Sequence, residues 1–195
     1  MTHMIAQATK ILNQGGIIIF PTDTAFGIGC RIDKPQAIDR LFSIRKRPTS
    51  QATPVLVSSP AMALAYWLRP PSIVEQLMNR YWPGALTIVA SCQKDRVPPL
   101  VRGGGDTLGI RMPNHTAILS LITAVGVPIL GPSANIHGAF TPYRQEDLDP
   151  NLVSLVDFVY PGKCNISNVS TVIDCSTQPS KILRQGAVDV DIKKL

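Results

Sequence analysis

The chain has 195 residues, of which 45% are hydrophobic and 16% are charged. This composition excludes an intrinsically disordered chain, which combines low hydrophobicity with high charge, and the length suits a single domain. Lysine and arginine outnumber aspartate and glutamate by 19 to 13, which gives a formal net charge of +6. Such a balance suits an anionic ligand (nucleotide, phosphate or RNA), although the same charge can serve solubility alone.

Periodicity and turn residues predict a chain in which helices and strands alternate. In chain order the predicted elements are helix 5–12, strand 17–20, helix 35–46, strand 55–57, helices 62–68 and 73–81, strands 86–90 and 108–112, helix 115–125, and strands 128–130, 155–160, 171–175 and 182–183. The wholly apolar run Ile17–Phe20 is typical of a strand buried on both faces. The loop that follows it, Thr22–Thr24, lies at the strand end where open α/β sheets bind ligands. We therefore expect an α/β fold with a mixed, twisted sheet.

Neither a metal site nor an export signal is visible in the sequence. The four cysteines include no C-x-x-C pair and lie away from the histidines, so no protein-held metal is expected. The first residues lack a basic segment followed by an apolar one, which predicts a cytoplasmic protein with free thiols. The two longest stretches without Asp, Glu, Lys or Arg, 48–68 and 112–143, are broken by prolines and polar residues, so no membrane segment is expected.

Several familiar catalytic patterns are missing. The sequence has no phosphate-binding G-x-x-x-x-G-K-[ST] loop and no G-x-G-x-x-G dinucleotide motif. His137 follows Ser133 by four residues, but no acid is placed to orient it, which argues against a serine triad.

Three polar segments are candidates for ligand binding. Arg45–Arg47 places three cations at the end of a predicted helix, where they stabilise the helix or face an anion. Ser133–Asn135 brings small neutral donors to the end of a buried strand, although such turns are common without a ligand. Ser170 precedes a strand, and Arg184 follows later.

These segments resemble motifs of the YrdC/Sua5 family of threonylcarbamoyl-AMP synthases. Pro21–Gly29 (PTDTAFGIG) resembles the P-T-D/E-T-x-Y/F-G-L-G signature of that family. In the same order, the further matches are Arg45–Pro48 to K-x-R-P, Tyr81–Gly84 to W-P-G, Leu108–Pro113 to V-R-x-P, Ser133–Gly138 to S-A-N-x-S-G, Ser170–Val172 to S-T-V and Leu183–Gly186 to L-R-x-G. The resemblance runs through nearly the whole chain.

Two positions depart from the family pattern. Arg45 stands where the motif has lysine, with Lys46 shifted by one residue, and Phe26 replaces the commoner tyrosine. The resemblance implies an open, twisted mixed β-sheet with flanking helices and a large basic cleft. It also implies the short, single-domain form. We expect one domain over residues 1–186 and a polar C-terminal tail over 187–195, of which the polar run 189–195 is expected to be loose.

The resemblance implies a nucleotidyltransferase reaction. L-threonine, bicarbonate and ATP, supplied as its Mg²⁺ complex, would give threonylcarbamoyl-AMP and pyrophosphate. A separate tRNA threonylcarbamoyl transferase complex would then use the product to modify adenosine 37 of tRNAs. Such chemistry needs positioning and charge neutralisation more than a covalent nucleophile.

The family motifs also imply roles for individual residues. The phosphate-holding, catalytic residues would be Arg45, Lys46 and Arg47; the nucleotide contacts Arg47, Thr107, Ser133, Asn135, Thr141 and Arg184; and the threonine contacts Thr24, Ser58, Arg111 and Ser170. For the first group we favour an extended backbone before Pro48, so that Arg45 and Arg47 face the ligand together and Lys46 points away.

Two alternatives remain open at this point. A double-stranded RNA-binding module without catalysis would use the same basic surface, and direct tRNA binding would fit it too, but neither needs the neutral Thr24, Ser133 and Ser170. A paralogue that transfers a carbamoyl or acyl group to another acceptor would keep the pocket, and the Arg45 departure leaves this alternative open.

Overall fold

The computed structural model describes residues 2–192. The helices are α1 Thr2–Asn13, α2 Pro35–Ile44, α3 Pro60–Leu64, α4 Ser72–Tyr81, α5 Thr116–Val125 and α6 Pro150–Ser154; the strands are β1 Ile18–Pro21, β2 Phe26–Gly29, β3 Val55–Leu56, β4 Leu86–Ser91, β5 Thr107–Arg111, β6 Ile129–Leu130, β7 Phe158–Val159, β8 Thr171–Asp174 and β9 Lys181–Arg184. Helices and strands alternate through the first two-thirds, so the predicted α/β class is confirmed.

The strands form two mixed sheets. One sheet has three strands in the order β2-β1-β7, and the other has six in the order β6-β3-β5-β4-β8-β9. Each sheet contains both parallel and antiparallel pairs; β4, for example, pairs antiparallel with β5 and parallel with β8. The sequence predicted a mixed sheet, which is confirmed, and the strands divide between two such sheets.

Strand β1 is buried on both faces, as its apolar run predicts. Ile17, just before the strand, and Ile19 belong to the core cluster that includes α2 and the six-stranded sheet. Ile18 and Phe20 point the other way, into a second cluster with α1 and α5. Because side chains alternate along a strand, this short segment joins the two halves of the core. The loop that follows β1 is thereby held in a fixed position.

Strand β2 was not predicted, because two of its four residues are glycine, which is depleted in strands. Its glycines allow close contact with the segment after β6. A Cβ on Gly29 would lie 1.8 Å from the carbonyl oxygen of Leu130. Backbone bonds from Ile28 N to Pro132 O (2.9 Å) and from Ala134 N to Phe26 O (2.8 Å) continue this contact. Residues 130–134 are therefore fixed beside β2.

Two further predictions need correction. Helix α6 was missed; it is a single short segment capped by Asp149, whose side chain accepts from Asn151 N. The C-terminal segment expected to be a loose tail is packed as far as residue 192, since Val190 is only 4% exposed and Val188 N donates to Thr171 Oγ1. The last three residues of that predicted tail lie outside the described residues. Within residues 2–192, every helix is too short or too polar to span a bilayer.

Candidate active site

The first wall of the candidate site is the turn between β1 and β2. Thr22 Oγ1 donates to the carbonyl oxygen of Ala25 (2.7 Å) and lies 3.0 Å from Thr24 Oγ1. The backbone nitrogens of Thr24 and Ala25 both donate back to Thr22 Oγ1. This threonine therefore satisfies the polar groups of a buried turn, and Thr24 is presented to a cavity with its hydroxyl fixed.

The floor of the cavity holds a buried ion pair. Arg111, at the end of β5, is 5% exposed, and its Nη1 donates to Asp23 Oδ1 at 2.9 Å. Its Nη2 donates to Thr22 Oγ1 at 3.1 Å. Burial lowers the pKa of Arg111, and the Asp23 carboxylate opposes that shift. The pair joins the two sheets, because Asp23 follows β1 while Arg111 ends a strand of the larger sheet.

The second wall is the turn that ends α2. Arg45 is the C-cap of α2, and Lys46 takes a positive φ of 49°. Lys46 N donates to Ser43 O and Arg47 N to Phe42 O, both at 3.0 Å, which closes the helix. The extended backbone that we favoured from the sequence is thus wrong. The side chains nevertheless point as expected, because the helix-ending turn separates them. Arg45 and Arg47 line the cavity, while Lys46 is exposed and lies outside the lining.

Arg45 is almost fully buried, at 3% exposure. Its Nε donates to the backbone oxygen of Asn135 (3.0 Å) and its Nη2 to Asn135 Oδ1 (3.3 Å). Burial, and secondarily the Arg47 charge, lower the pKa of Arg45 to about 10, so it stays protonated at neutral pH. Arg47 is half-buried and donates to the backbone oxygens of Gln51 and Ala52.

The third wall is the segment that β2 holds in place. Ser133 and Thr141 of this segment both line the cavity. Ser133 Oγ donates to Asn135 Oδ1 at 2.6 Å, and Asn135 Nδ2 donates to the carbonyl oxygen of Ala139 at 2.5 Å. Asn135 itself lies behind the wall rather than in it.

The fourth wall comes from β4, β8 and β9. Ser170 Oγ lies 2.9 Å from Thr87 Oγ1, and Arg184 Nη2 donates to both the Oγ and the backbone oxygen of Ser170. Burial lowers the pKa of Arg184. The guanidinium of Arg184 is therefore folded against Ser170 at the rim of the cavity.

The four walls enclose one polar cavity of about 170 Å³. This is smaller than the ~300–1,000 Å³ usual for ligand sites, and the side chains of Arg45, Arg47 and Arg184 are bonded to neighbouring protein oxygens. The lining is Thr22, Thr24, Ala25, Phe26, Gly27, Arg45, Arg47, Pro54, Leu56, Thr87, Arg111, Gly131, Pro132, Ser133, Thr141, Val169, Ser170 and Arg184. Those three arginines have no carboxylate within 4.0 Å among residues 2–192. The cavity is strongly cationic and suits a polyanionic ligand.

The structure brings most of the residues expected from the sequence to this cavity. Those in its lining are Thr24, Arg45, Arg47, Arg111, Ser133, Thr141, Ser170 and Arg184. Those outside the lining are Lys46, Ser58, Thr107 and Asn135. Thr107 lies at the opposite end of β5 from Arg111, paired with Ser91, which is why it does not reach the cavity. Ser58 follows β3 and is half-buried away from the lining.

Sequence reasoning gave no individual role to three polar residues at the site, although two of them, Thr22 and Asp23, lie in the loop expected to bind ligands. Thr22 and Asp23 hold Arg111, and Thr87 contacts Ser170. Two signals could have identified them. Asp23 is the only acid among the first 32 residues, directly after a buried strand, and Thr87 is the only hydroxyl in the apolar strand Leu86–Ala90. In the described part of the chain, no group of three or more His, Cys, Asp or Glu side chains is placed to hold a metal ion.

Comparison with known proteins agrees with this geometry. Residues 10–186 match the Sua5/YciO/YrdC family model, described as "Telomere recombination". A threonylcarbamoyl-AMP synthase of Bacillus subtilis is 34% identical over 188 residues, which cover 94% of this chain and 54% of that protein. The chain thus spans about half the length of that relative.

Two solved structures share the fold. The crystal structure of Pyrococcus abyssi Sua5 complexed with L-threonine is 32% identical with a TM-score of 0.89, covering 93% of this chain and 54% of that one. Escherichia coli YciO is 27% identical with a TM-score of 0.85, covering 98% and 93%. The family match over most of the chain, together with these likenesses, shows that this chain belongs to the Sua5/YciO/YrdC family.

Proposed function

We propose that this chain is an L-threonylcarbamoyladenylate synthase. It would join L-threonine, bicarbonate and Mg²⁺-bound ATP into threonylcarbamoyl-AMP and release pyrophosphate. The observation that carries the proposal is the cavity lining, which combines Arg45, Arg47 and Arg184, without carboxylate partners among residues 2–192, with Arg111 and several neutral hydroxyl groups. A triphosphate needs the positive charges of Arg45, Arg47 and Arg184, and an amino acid carboxylate fits Arg111.

The amino acid would lie between the β1–β2 turn and β8. Arg111 would pair with the substrate carboxylate, and Thr24 and Ser170 would hydrogen-bond its polar groups. Because Thr22 and Asp23 already fix the guanidinium of Arg111, its orientation is set before the substrate binds. A relative with this fold has been crystallised with L-threonine, which supports an amino acid site in the family.

The nucleotide would lie along the opposite side, from Ser133 and Thr141 to Arg45, Arg47 and Arg184. The amine of threonine attacks the carbon of bicarbonate, and loss of water leaves a carbamate. A carbamate oxygen then attacks the α-phosphorus of ATP, and the bond to pyrophosphate breaks. Charge builds up on the phosphate oxygens during that step, so guanidinium donors in a buried cavity would stabilise the transition state.

The proposal places the chain before a tRNA-modifying transferase. Threonylcarbamoyl-AMP is a mixed anhydride, and a separate transferase would consume it to modify adenosine 37 of tRNA. The cytoplasm, where ATP and tRNA meet, is the compartment that this role requires.

A double-stranded RNA-binding module is not favoured by the cavity. The backbone phosphates of a duplex reach exposed cations, whereas Arg45 and Arg111 are 3% and 5% exposed. A paralogue that uses another amine acceptor would keep the same arginines and differ at Thr24 or Ser170. The substrate test below separates it from the proposed enzyme.

The test is product identification. The protein is incubated with Mg²⁺-ATP, L-threonine and ¹³C-bicarbonate, and the product is analysed by mass spectrometry. We expect threonylcarbamoyl-AMP carrying one ¹³C, absent when threonine is omitted and retained in Lys46→Ala. Label in an adduct with another amino acid would identify a paralogue, and ATP left intact with every amino acid tried would contradict the proposal.

A further inference from the structure

Arg45 is a buried cation without a counter-ion. Within residues 2–192, the hydrogen bonds of its side chain all go to neutral oxygens of Asn135, and its Nη1 is buried with no partner. No carboxylate lies within 4.0 Å of it among residues 2–192. Arg111 is buried to the same degree in the same cavity, yet it is paired with Asp23. Arg111 thus has a carboxylate partner, whereas Arg45 has only neutral acceptors.

The missing counter-ion is costly to the unliganded protein. A buried charge loses its hydration, and neutral acceptors restore only part of the loss. The cost shows in the lowered pKa of Arg45, which results first from burial and then from Arg47. The side chain best placed to neutralise Arg45 is that of residue 135. An aspartate there would have the same size as Asn135 and would put a carboxylate against the guanidinium.

The amide of Asn135 is fixed by its other contacts. Oδ1 accepts from Ser133 Oγ as well as from Arg45, and Nδ2 donates to Ala139 O. The backbone is tied to the same arginine, since His137 N donates to Arg45 O at 2.8 Å. Arg45 Nη1 is buried without a hydrogen-bond partner, and Arg45 belongs to the cavity lining whereas Asn135 does not.

We propose that Asn135 is a positioning residue that holds Arg45 in place without neutralising it, so that the charge and the free Nη1 are kept for phosphate oxygens of the nucleotide. This inference rests on the proposed function for the identity of the ligand. It replaces the direct nucleotide contact that the sequence motif implied for Asn135. It also explains how arginine works where the family motif has lysine: two guanidinium nitrogens bond to Asn135, and the third has no protein partner and can bond to a phosphate oxygen.

The test uses inorganic pyrophosphate as the probe, because its binding does not depend on synthesis. Affinity is measured by calorimetry for the full chain and for Asn135→Asp, Asn135→Ala, Arg45→Met and the double variant Arg45→Met/Asn135→Ala. Asn151→Asp, an exposed residue outside the cavity, makes the same change of charge and serves as the control. Circular dichroism melting confirms that each variant folds.

We expect Asn135→Asp to weaken pyrophosphate binding about tenfold to a hundredfold, the range of one charge-assisted hydrogen bond, and the control to leave it unchanged. Asn135→Ala weakens binding less, because Arg45 keeps its charge but loses its anchor. In the Arg45→Met background, Asn135→Ala has no further effect.

Two results would overturn the inference. One is a loss from Asn135→Ala that is equally large with and without Arg45, which would make Asn135 a direct ligand contact. The other is wild-type affinity in a folded Asn135→Asp protein. Neither result bears on whether the wild-type protein makes threonylcarbamoyl-AMP, which tests the proposed function. If the wild-type protein makes no product, the pyrophosphate affinities of the variants still test the role of Asn135. Failure of the inference and failure of the proposed function can therefore be told apart.

Discussion

At the scale of single residues, the cavity depends on how its arginines are held. Arg111 is fixed by a carboxylate and a hydroxyl, Arg184 by Ser170, and Arg47 by backbone oxygens. These guanidinium groups are therefore held by bonds within the protein itself.

The ion pair between Asp23 and Arg111 gives a stability prediction. Asp23→Ala leaves Arg111 buried and unpaired, which is expected to cost about 3–5 kcal/mol of unfolding free energy. Asp33→Ala is the matched control, because its pair with Arg31 is partly exposed and its loss is expected to cost less than ~1 kcal/mol. Urea denaturation of both variants measures the difference. Equal losses of unfolding free energy in the two variants would show that the buried pair stabilises the fold no more than the partly exposed one.

The turn after α2 gives a prediction on activity. Arg45→Ala and Arg47→Ala are each expected to weaken adenylate formation by roughly 1.5–3 kcal/mol, or about tenfold to a hundredfold. Lys46→Ala is expected to be nearly silent, since Lys46 is exposed and outside the cavity. Pyrophosphate release by the three variants is the measurement. A large loss at Lys46 with little at Arg45 would assign the motif role to the lysine instead.

At the scale of elements, the site depends on the contact between β2 and the segment after β6. The contact places Ser133 in the cavity wall, opposite Gly27 of β2. It is possible only because Gly29 carries no side chain next to Leu130 O. The glycines that weaken β2 as a sequence signal are thus the residues that let it position the site.

Gly29→Ala tests this contact. The added methyl group would meet a backbone oxygen at 1.8 Å, so the segment must shift, at an expected cost of about 1–3 kcal/mol. Nucleotide binding should weaken too, because Ser133 moves with the segment. Gly105→Ala is the control: its Cβ would meet nothing closer than 3.4 Å, and its effect on stability should stay within about 0.5 kcal/mol. Thermal melting and nucleotide titration are measured for the two variants. Equal stability and equal nucleotide affinity in Gly29→Ala and Gly105→Ala would refute the role of the β2 contact.

The sequence predicted the local features of the fold and of the site but not their long-range contacts. The run Ile17–Phe20 predicts its own strand, and polar residues at strand ends predict a ligand site, because both signals are local. The contacts that shape the site are not local. Arg45 meets Asn135 across 90 positions and Arg111 meets Asp23 across 88, so they depend on a tertiary pairing that no short pattern encodes. The positive φ at Lys46 could not be predicted from the sequence either, because a lysine seldom adopts a positive φ.

At the scale of the whole molecule, acid should weaken the fold through His115. Burial lowers the pKa of His115 below 6.5, against the opposing Asp23 charge, and its Nδ1 is buried without a partner. The unfolded chain therefore binds a proton more readily than the folded one, so stability falls as pH drops below 6.5. We expect His115→Gln to flatten this fall between about pH 7 and pH 5.5. Urea unfolding at both pH values measures it, and an unchanged slope in the variant would contradict the assignment.

The whole-molecule account is that two sheets and the end of α2 hold four arginines around one cavity, where an amino acid and a nucleotide would meet. Pyrophosphate release from ATP, measured with and without L-threonine and bicarbonate, tests this account most directly. We predict release that requires both co-substrates, is abolished in Arg111→Ala and is preserved in Lys46→Ala. Release that ignores threonine, or that is equal in the two variants, would contradict it.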